Sequence, residues 1–214
     1  MNINLELITK LRATTGAGML DCKKALEEAQ GNFDNAIDIL RKTGATKAAK
    51  RADKIAAEGI VFSYIHAGGK VGVLVEINCE TDFVAKTDNF QNLAKDVAMH
   101  IAAAVPKCLT SDEIPEEDMK REEAIYRDQL KAEGKPEDMI EKILEGKMSK
   151  YYGEVCLLNQ SFIKDEDKTI ETLLTEKSAE IGEKISIRRF TRYEMGEGIE
   201  KKVQDFVAEV QEQL

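Results

Sequence analysis

Val71-Gly72-Val73-Leu74-Val75-Glu76-Ile77-Asn78-Cys79-Glu80-Thr81-Asp82-Phe83-Val84-Ala85-Lys86 is the stretch around which this chain is organised. Its first half reads as a strand. Val71, Val73, Val75 and Ile77 alternate strictly and mark one buried face. Its second half, Asn78 to Lys86, joins that strand to a helical segment and sets the apolar ring of Phe83 beside the charge of Asp82. Such junctions run over the surface and often carry function. An exposed aromatic next to a carboxylate either docks on something or caps the next helix.

The flanks narrow that choice. Upstream, Gly59 to Ala67 forms a second strand, and Gly68-Gly69 is a short hairpin signal. Downstream, Thr87 or Asp88 starts a helix to about Val105, with Asp88 and Gln91 spaced as a capping box. The cap therefore lies beyond Asp82 and Phe83, which leaves both without a local duty. Phe90, Leu93, Ala94, Val97, Ala98, Ile101 and Ala102 give this helix a wide apolar face to cover the sheet. His100 falls off that face. It reads either as a structural hydrogen-bonding residue or as a surface contact.

Before the sheet come three short amphipathic helices. Asn4 caps the first, in which Leu5, Ile8 and Leu11 recur at helical spacing. Cys22, Ala25, Leu26 and Ala29 form the buried stripe of the second, about Met19 to Gln30. Leu20 lies almost opposite that stripe and Met19 off its edge. They read as scattered surface apolars or as a contact aimed outward by the Gly16-Ala17-Gly18 loop. Asn32 caps the third helix, with Phe33, Ala36, Ile37 and Leu40 as its stripe and Gly44 as its stop. The expected layout is a three-helix module over 1–45 and a basic, solvated linker helix over 46–58. An α+β core follows over 59–195, then a C-terminal helical module over 196–214.

Within the core, residues 115–152 read as an antiparallel helical hairpin, a short coiled coil standing away from the body. Met119, Tyr126 and Leu130 face Met139, Ile140, Ile143 and Leu144 along a thin seam. The arm is equally consistent with a dimer contact, a partner contact or a decorative insertion. Glu154 to Ile163 reads as extended, Asp165-Glu166-Asp167 as a turn, and Lys184 to Tyr193 as a third sheet strand. Thr169 caps an intervening helix with Ile170, Leu173 and Leu174. Ile199, Val203, Phe206, Val207, Val210 and Leu214 put one apolar face on a terminal helix.

Composition excludes several classes. The net charge is -9, yet residues 1–58 hold ten Lys/Arg against eight Asp/Glu. A basic head on an acidic body argues against DNA binding as the main task. Trp is absent and aromatics are 6 %, so no stacking platform for single-stranded nucleic acid is visible. No apolar run is long enough to span a membrane, and the N-terminus lacks a secretory pattern, so a soluble cytoplasmic protein is expected. Cys22, Cys79, Cys108 and Cys156 are scattered with no CxxC, which reads as small buried or half-buried thiols rather than a zinc site or a disulfide scaffold. No phosphate loop, dinucleotide fingerprint or nucleophile motif occurs. The Asp165–Asp167 cluster lacks the spacing of a calcium loop. No cofactor or metal is expected, and no enzyme site is offered.

Four motifs resemble one family. Thr14-Thr15-Gly16-Ala17-Gly18-Met19-Leu20-Asp21-Cys22-Lys23-Lys24-Ala25-Leu26 is similar to the opening signature of elongation factor Ts. Asn78 to Lys86 resembles its second signature. Gly146-Lys147-Met148 through Gly153-Glu154-Val155, and Glu194 to Lys201, continue the match in the family's order.

The resemblance implies a guanine-nucleotide exchange factor for elongation factor Tu, with a ubiquitin-associated-like head. Longer members carry the core twice. This chain has one core, which implies a homodimer or a two-plus-two complex to supply the second surface. Thr81, Asp82, Phe83 and Val84 would reach the partner's nucleotide domain near its magnesium, Phe83 as a wedge and Asp82 as the disturbing charge. Met19 and Leu20 would touch the same domain from the head, and His100 from the core. The partner is expected in its GDP-bound and nucleotide-free forms. The competing expectation is a passive adaptor that uses the head to bind and the body to dimerise.

Overall fold

The computed structural model describes residues 4–51 and 53–199. The head consists of α1 (Leu5–Thr15), α2 (Met19–Glu28) and α3 (Phe33–Ala49). The chain continues with β1 (Glu58–Ile65), β2 (Val71–Cys79), the single-turn α4 (Asp82–Ala85) and α5 (Asp88–Ala104). The arm is α6 (Glu116–Ala132) and α7 (Glu137–Val155). A ribbon of β3 (Ser161–Phe162) and β4 (Asp165–Thr169) leads into α8 (Ile170–Ile181), and β5 (Ser186–Glu194) closes the sheet. The architecture is α+β.

The head forms where its caps and stripes require. The Asn4 side chain accepts the Glu6 amide at 3.1 Å, and that of Asn32 accepts the Asn35 amide at 3.0 Å. Ile8, Leu11, Cys22, Ala25, Leu26, Ala29 and Ala36 form its small core. The third helix departs from expectation. It runs through Gly44 to Ala49, so among the described residues no separate linker helix spans 46–58, and β1 begins at Glu58. Gly44 faces α8, where a Cβ would sit 3.1 Å from the Cβ of Ala179. Its missing side chain lets two helices approach. The helix propensity it costs, about 1 kcal/mol, is offset by that packing.

The sheet is antiparallel in the order β1-β2-β5, with Val75 opposite both Phe62 and Phe190. Val73, Val75 and Ile77 are buried, as their alternation requires, beneath Phe90, Leu93, Val97 and Ile101 of α5. Ile170, Leu173 and Leu174 of α8 join the same core. Each such side chain contributes about 1.5–3 kcal/mol when fully buried. The opposite face of the sheet leaves Val61, Ile65, Leu74 and Tyr193 exposed.

The arm has its own core of Leu130, Ile140, Leu144 and Met148, with Tyr126 and Ile143 beside it. Arg127 pairs with Glu141 across the two helices. Met139 does not face inward as expected. It lies one residue off the Ile140–Leu144–Met148 stripe and is exposed.

The extended reading of Glu154 to Ile163 also fails. Helix α7 continues to Val155, a 3-10 turn spans Leu157–Asn159, and only Ser161 and Phe162 pair as strand. The turn lies at Ile163-Lys164, and Asp165 to Asp167 belong to β4. Lys168 binds the Asp165 carboxylate at 3.0 Å and holds its pKa below the ordinary value. Among the described residues, no group of three or more His, Cys, Asp or Glu is placed to hold a metal. The expected terminal helix lies, beyond Ile199, outside the described residues.

Candidate docking site

Strand β2 ends at Cys79, and the next two residues are fixed by a carboxylate far along the chain. Glu183 accepts the amides of Glu80 and Thr81, each at 3.0 Å, through one oxygen. Its other oxygen accepts the Thr81 hydroxyl at 2.7 Å. The tie is reciprocal. The Glu80 carboxylate accepts the Lys184 amide at 2.7 Å and the Arg51 guanidinium at 2.9 Å, and these two donors lower its pKa in that order. Two successive residues after α8 thus clasp two successive residues after β2.

The clasp sets up α4. The Thr81 hydroxyl oxygen accepts the Val84 amide at 3.4 Å and so caps the single turn. Val84 turns inward onto the sheet core, and Ala85 is buried. Phe83 points the other way and is 79 % exposed.

Asp82 does have a local duty, contrary to the sequence reading. Lys86 donates to its carboxylate at 2.7 Å and keeps its pKa low. The two lie at i and i+4, spacing that brings side chains together on one helical face. The cap of α5 is Thr87, whose hydroxyl accepts the Phe90 amide at 3.3 Å. Gln91 donates instead to the Ala85 carbonyl at 2.7 Å, so the Asp88–Gln91 capping box does not form.

At the head, Leu20 is 74 % exposed and Met19 is 36 % exposed, on the first turn of α2. The loop before them turns at Gly16, which has φ 70° and ends α1. A Cβ at Gly16 would sit 2.7 Å from the Glu180 side chain. Glu180 is held in turn by Asn89 at 2.8 Å and Lys177 at 2.7 Å. Glu180, in the last turn of α8, thus lies against the loop that precedes α2, while Glu183, just past Gly182, holds the turn that carries Phe83.

His100 is not at the surface. It is fully buried, with Gln160 at 3.0 Å from Nε2 and the Ile163 amide donating to Nδ1 at 3.4 Å. Acceptance at Nδ1 makes Nε2 the protonated nitrogen, and burial pushes the pKa down. Of the two roles the sequence left open, the structural hydrogen-bonding residue is the one observed, on a flank of α5 covered by Gln160 and the β3–β4 ribbon, and the surface contact is not. The sequence reading missed Glu183. Nothing in the sequence singles that residue out from the 40 acidic residues of the chain.

Residues 8–197 match the model of the family described as Elongation factor TS. The chain belongs to the elongation factor Ts family. It is 58 % identical over 207 residues to the elongation factor Ts of Desulfitobacterium hafniense, covering 97 % of this chain and 95 % of that one. It is 56 % identical over 210 residues to that of Geotalea daltonii, covering 98 % and 97 %. Elongation factor Ts is the cytoplasmic nucleotide-exchange factor for elongation factor Tu in translation elongation, and it is not an enzyme. The near-complete overlap means that these relatives are close to this chain in length. No helix among the described residues is long and apolar enough to cross a membrane.

Proposed function

We propose that the chain drives GDP release from elongation factor Tu by inserting Phe83 as a wedge and bringing Asp82 against the partner's magnesium site. The observation that carries this reading is a ring that is 79 % exposed on a turn pinned at its base. A wedge on a loose loop would lose conformational freedom on docking, whereas a pinned one does not. Burying the ring would contribute about 1.5–3 kcal/mol.

Asp82 is held by a single exposed lysine. It can trade that partner for the ligands of a metal that belongs to elongation factor Tu. Weakening the magnesium's hold on the diphosphate speeds GDP loss. By linkage GDP weakens binding of this chain by the same ratio, so nucleotide-free elongation factor Tu binds best and GTP displaces the factor. Thr81 and Val84 set the turn, and Met19 and Leu20 add a second contact from the head. Buried His100 is omitted from the contact set.

The test is release of a fluorescent GDP analogue from elongation factor Tu. Wild-type protein accelerates it, and Phe83→Ala loses most of the acceleration while keeping its melting temperature. An unimpaired Phe83→Ala protein would sink the wedge. An inert wild-type protein would favour the passive adaptor.

We also infer a second copy on the outer face of the sheet. Val61, Ile65, Leu74 and Tyr193 are exposed there on adjacent strands, a patch of the kind that marks an interface. Light scattering should find a dimer that Leu74→Glu dissociates. A monomer at all concentrations refutes it.

A further inference from the structure

Cys108 and Cys156 stand at the two ends of the arm, before α6 and after α7. Their Sγ atoms are 3.4 Å apart, although 48 residues separate them. The approach is set by the backbone. The Leu157 amide donates to the Cys108 carbonyl at 2.9 Å, and the Leu158 amide to the Leu109 carbonyl at 3.1 Å. On the other side, the Lys107 amide donates to the Val155 carbonyl at 2.8 Å. The two residues face each other in a short parallel bridge. A disulfide needs sulfurs about 2.05 Å apart on neighbouring Cβ atoms. Small side-chain rotations on a fixed frame close that gap. The other two thiols point elsewhere: Cys22, in the head, donates to the Ala17 carbonyl, and Cys79, in the sheet core, to the Thr81 carbonyl.

Access is unequal. Cys156 is fully buried and Cys108 is half-buried, so a reagent reaches Cys108 first. Burial raises both thiols, and Cys156 is pushed up to about 12. The thiolate is the nucleophile, so the pair is quiet at neutral pH and reacts faster as pH rises.

We propose that Cys108 and Cys156 form a modification site, a dithiol at the neck of the arm that closes by exchange with a low-molecular-weight disulfide. Cys108 gives its proton to solvent and its sulfur attacks one sulfur of the reagent. One reagent thiolate leaves and is protonated. Cys156 then loses its proton, attacks the Cys108 sulfur and expels the second reagent thiol. Two protein thiols are oxidised and one reagent disulfide is reduced to two thiols. The closed bond ties both ends of the α6–α7 hairpin covalently.

The test treats the full-length wild-type protein with oxidised glutathione at pH about 8.5, where the thiolate fraction is larger. Intact mass should fall by two hydrogen atoms without added glutathione, and peptide mapping should join Cys108 to Cys156. The melting temperature should rise by about 4–8 °C and return on reduction. Cys156→Ser should instead retain one glutathione on Cys108. A wild-type protein that keeps glutathione on Cys108, links other cysteines, or stays fully reduced would overturn the proposal.

Discussion

Leu20 and Phe83 occupy the same kind of position. Each is the second residue of its helix, and they are 74 % and 79 % exposed. Their supports differ. Leu20 belongs to a ten-residue helix whose N-cap is Gly18, with no side-chain cap bond. The helix holds itself, through Cys22, Ala25 and Leu26 in the head core. Phe83 sits on four residues that could not persist alone, because the first turn of a helix costs more order than its bond returns. Its turn exists because Thr81 caps it and Glu183, 102 residues on, holds Thr81. The difference shows two ways to present one apolar side chain. A long helix offers it as a by-product of its own stability, while a short turn must be fastened from outside and is set more rigidly.

That contrast can be broken most directly at Phe83. Phe83→Ala should cut accelerated GDP release by about tenfold or more, as expected for a central aromatic anchor. Its melting temperature should stay close to that of wild type, since the ring buries little in the free protein.

Glu183→Ala should come next. It leaves the Glu80 and Thr81 amides without their acceptor, a cost of about 1–3 kcal/mol in stability. It should also lower exchange, and its effect on exchange should vanish in a Phe83→Ala background, because both act through one side chain. Independent, additive losses in that double-mutant cycle would detach Glu183 from the wedge. Leu20→Ala should weaken the complex about threefold to tenfold, read by titration calorimetry, with stability unchanged. A matching loss of thermal stability would mean that Leu20 packs inward.

The smallest effect separates two readings of Asp82. If its only role is to pair with Lys86, then Asp82→Ala and Lys86→Ala should change exchange equally, and little, as exposed pairs do. If Asp82 acts on the partner's metal, Asp82→Ala slows exchange and Lys86→Ala does not. Stopped-flow rates for the two variants decide the matter. Lys86 holds the Asp82 pKa below its ordinary value. Asp82 is therefore ionised throughout neutral pH, and its contribution is lost only as pH falls through that lowered value.

Much of this was legible in the residues. The alternation from Val71 to Ile77, the stripe of α2, the Asn4 and Asn32 caps and the outward Leu20 all follow from spacing between near neighbours. So does the exposure of Phe83, an apolar ring in a junction that no stripe claims. Two of the errors come from distant partners and one from a short element. Gly44 was expected to end a helix because glycine usually does, but here it lies against Ala179, 135 residues away. His100 was expected off the buried face because its flank is open until Gln160 and Phe162 pack over it. Asp82 was expected to be idle because α4 is too short to show periodicity.

The sequence by itself determined which segments form helices and strands, which faces are apolar, and the family to which the chain belongs. Those properties are written in consecutive residues or in long matched motifs. Only the tertiary structure decided what holds the Phe83 turn, why Gly44 lacks a side chain, where His100 lies, and that Cys108 meets Cys156. Each of these depends on a partner between 60 and 135 positions away, or 48 for the thiols. A contact over such a distance leaves no periodic trace in the chain and is set by how the packed layers meet.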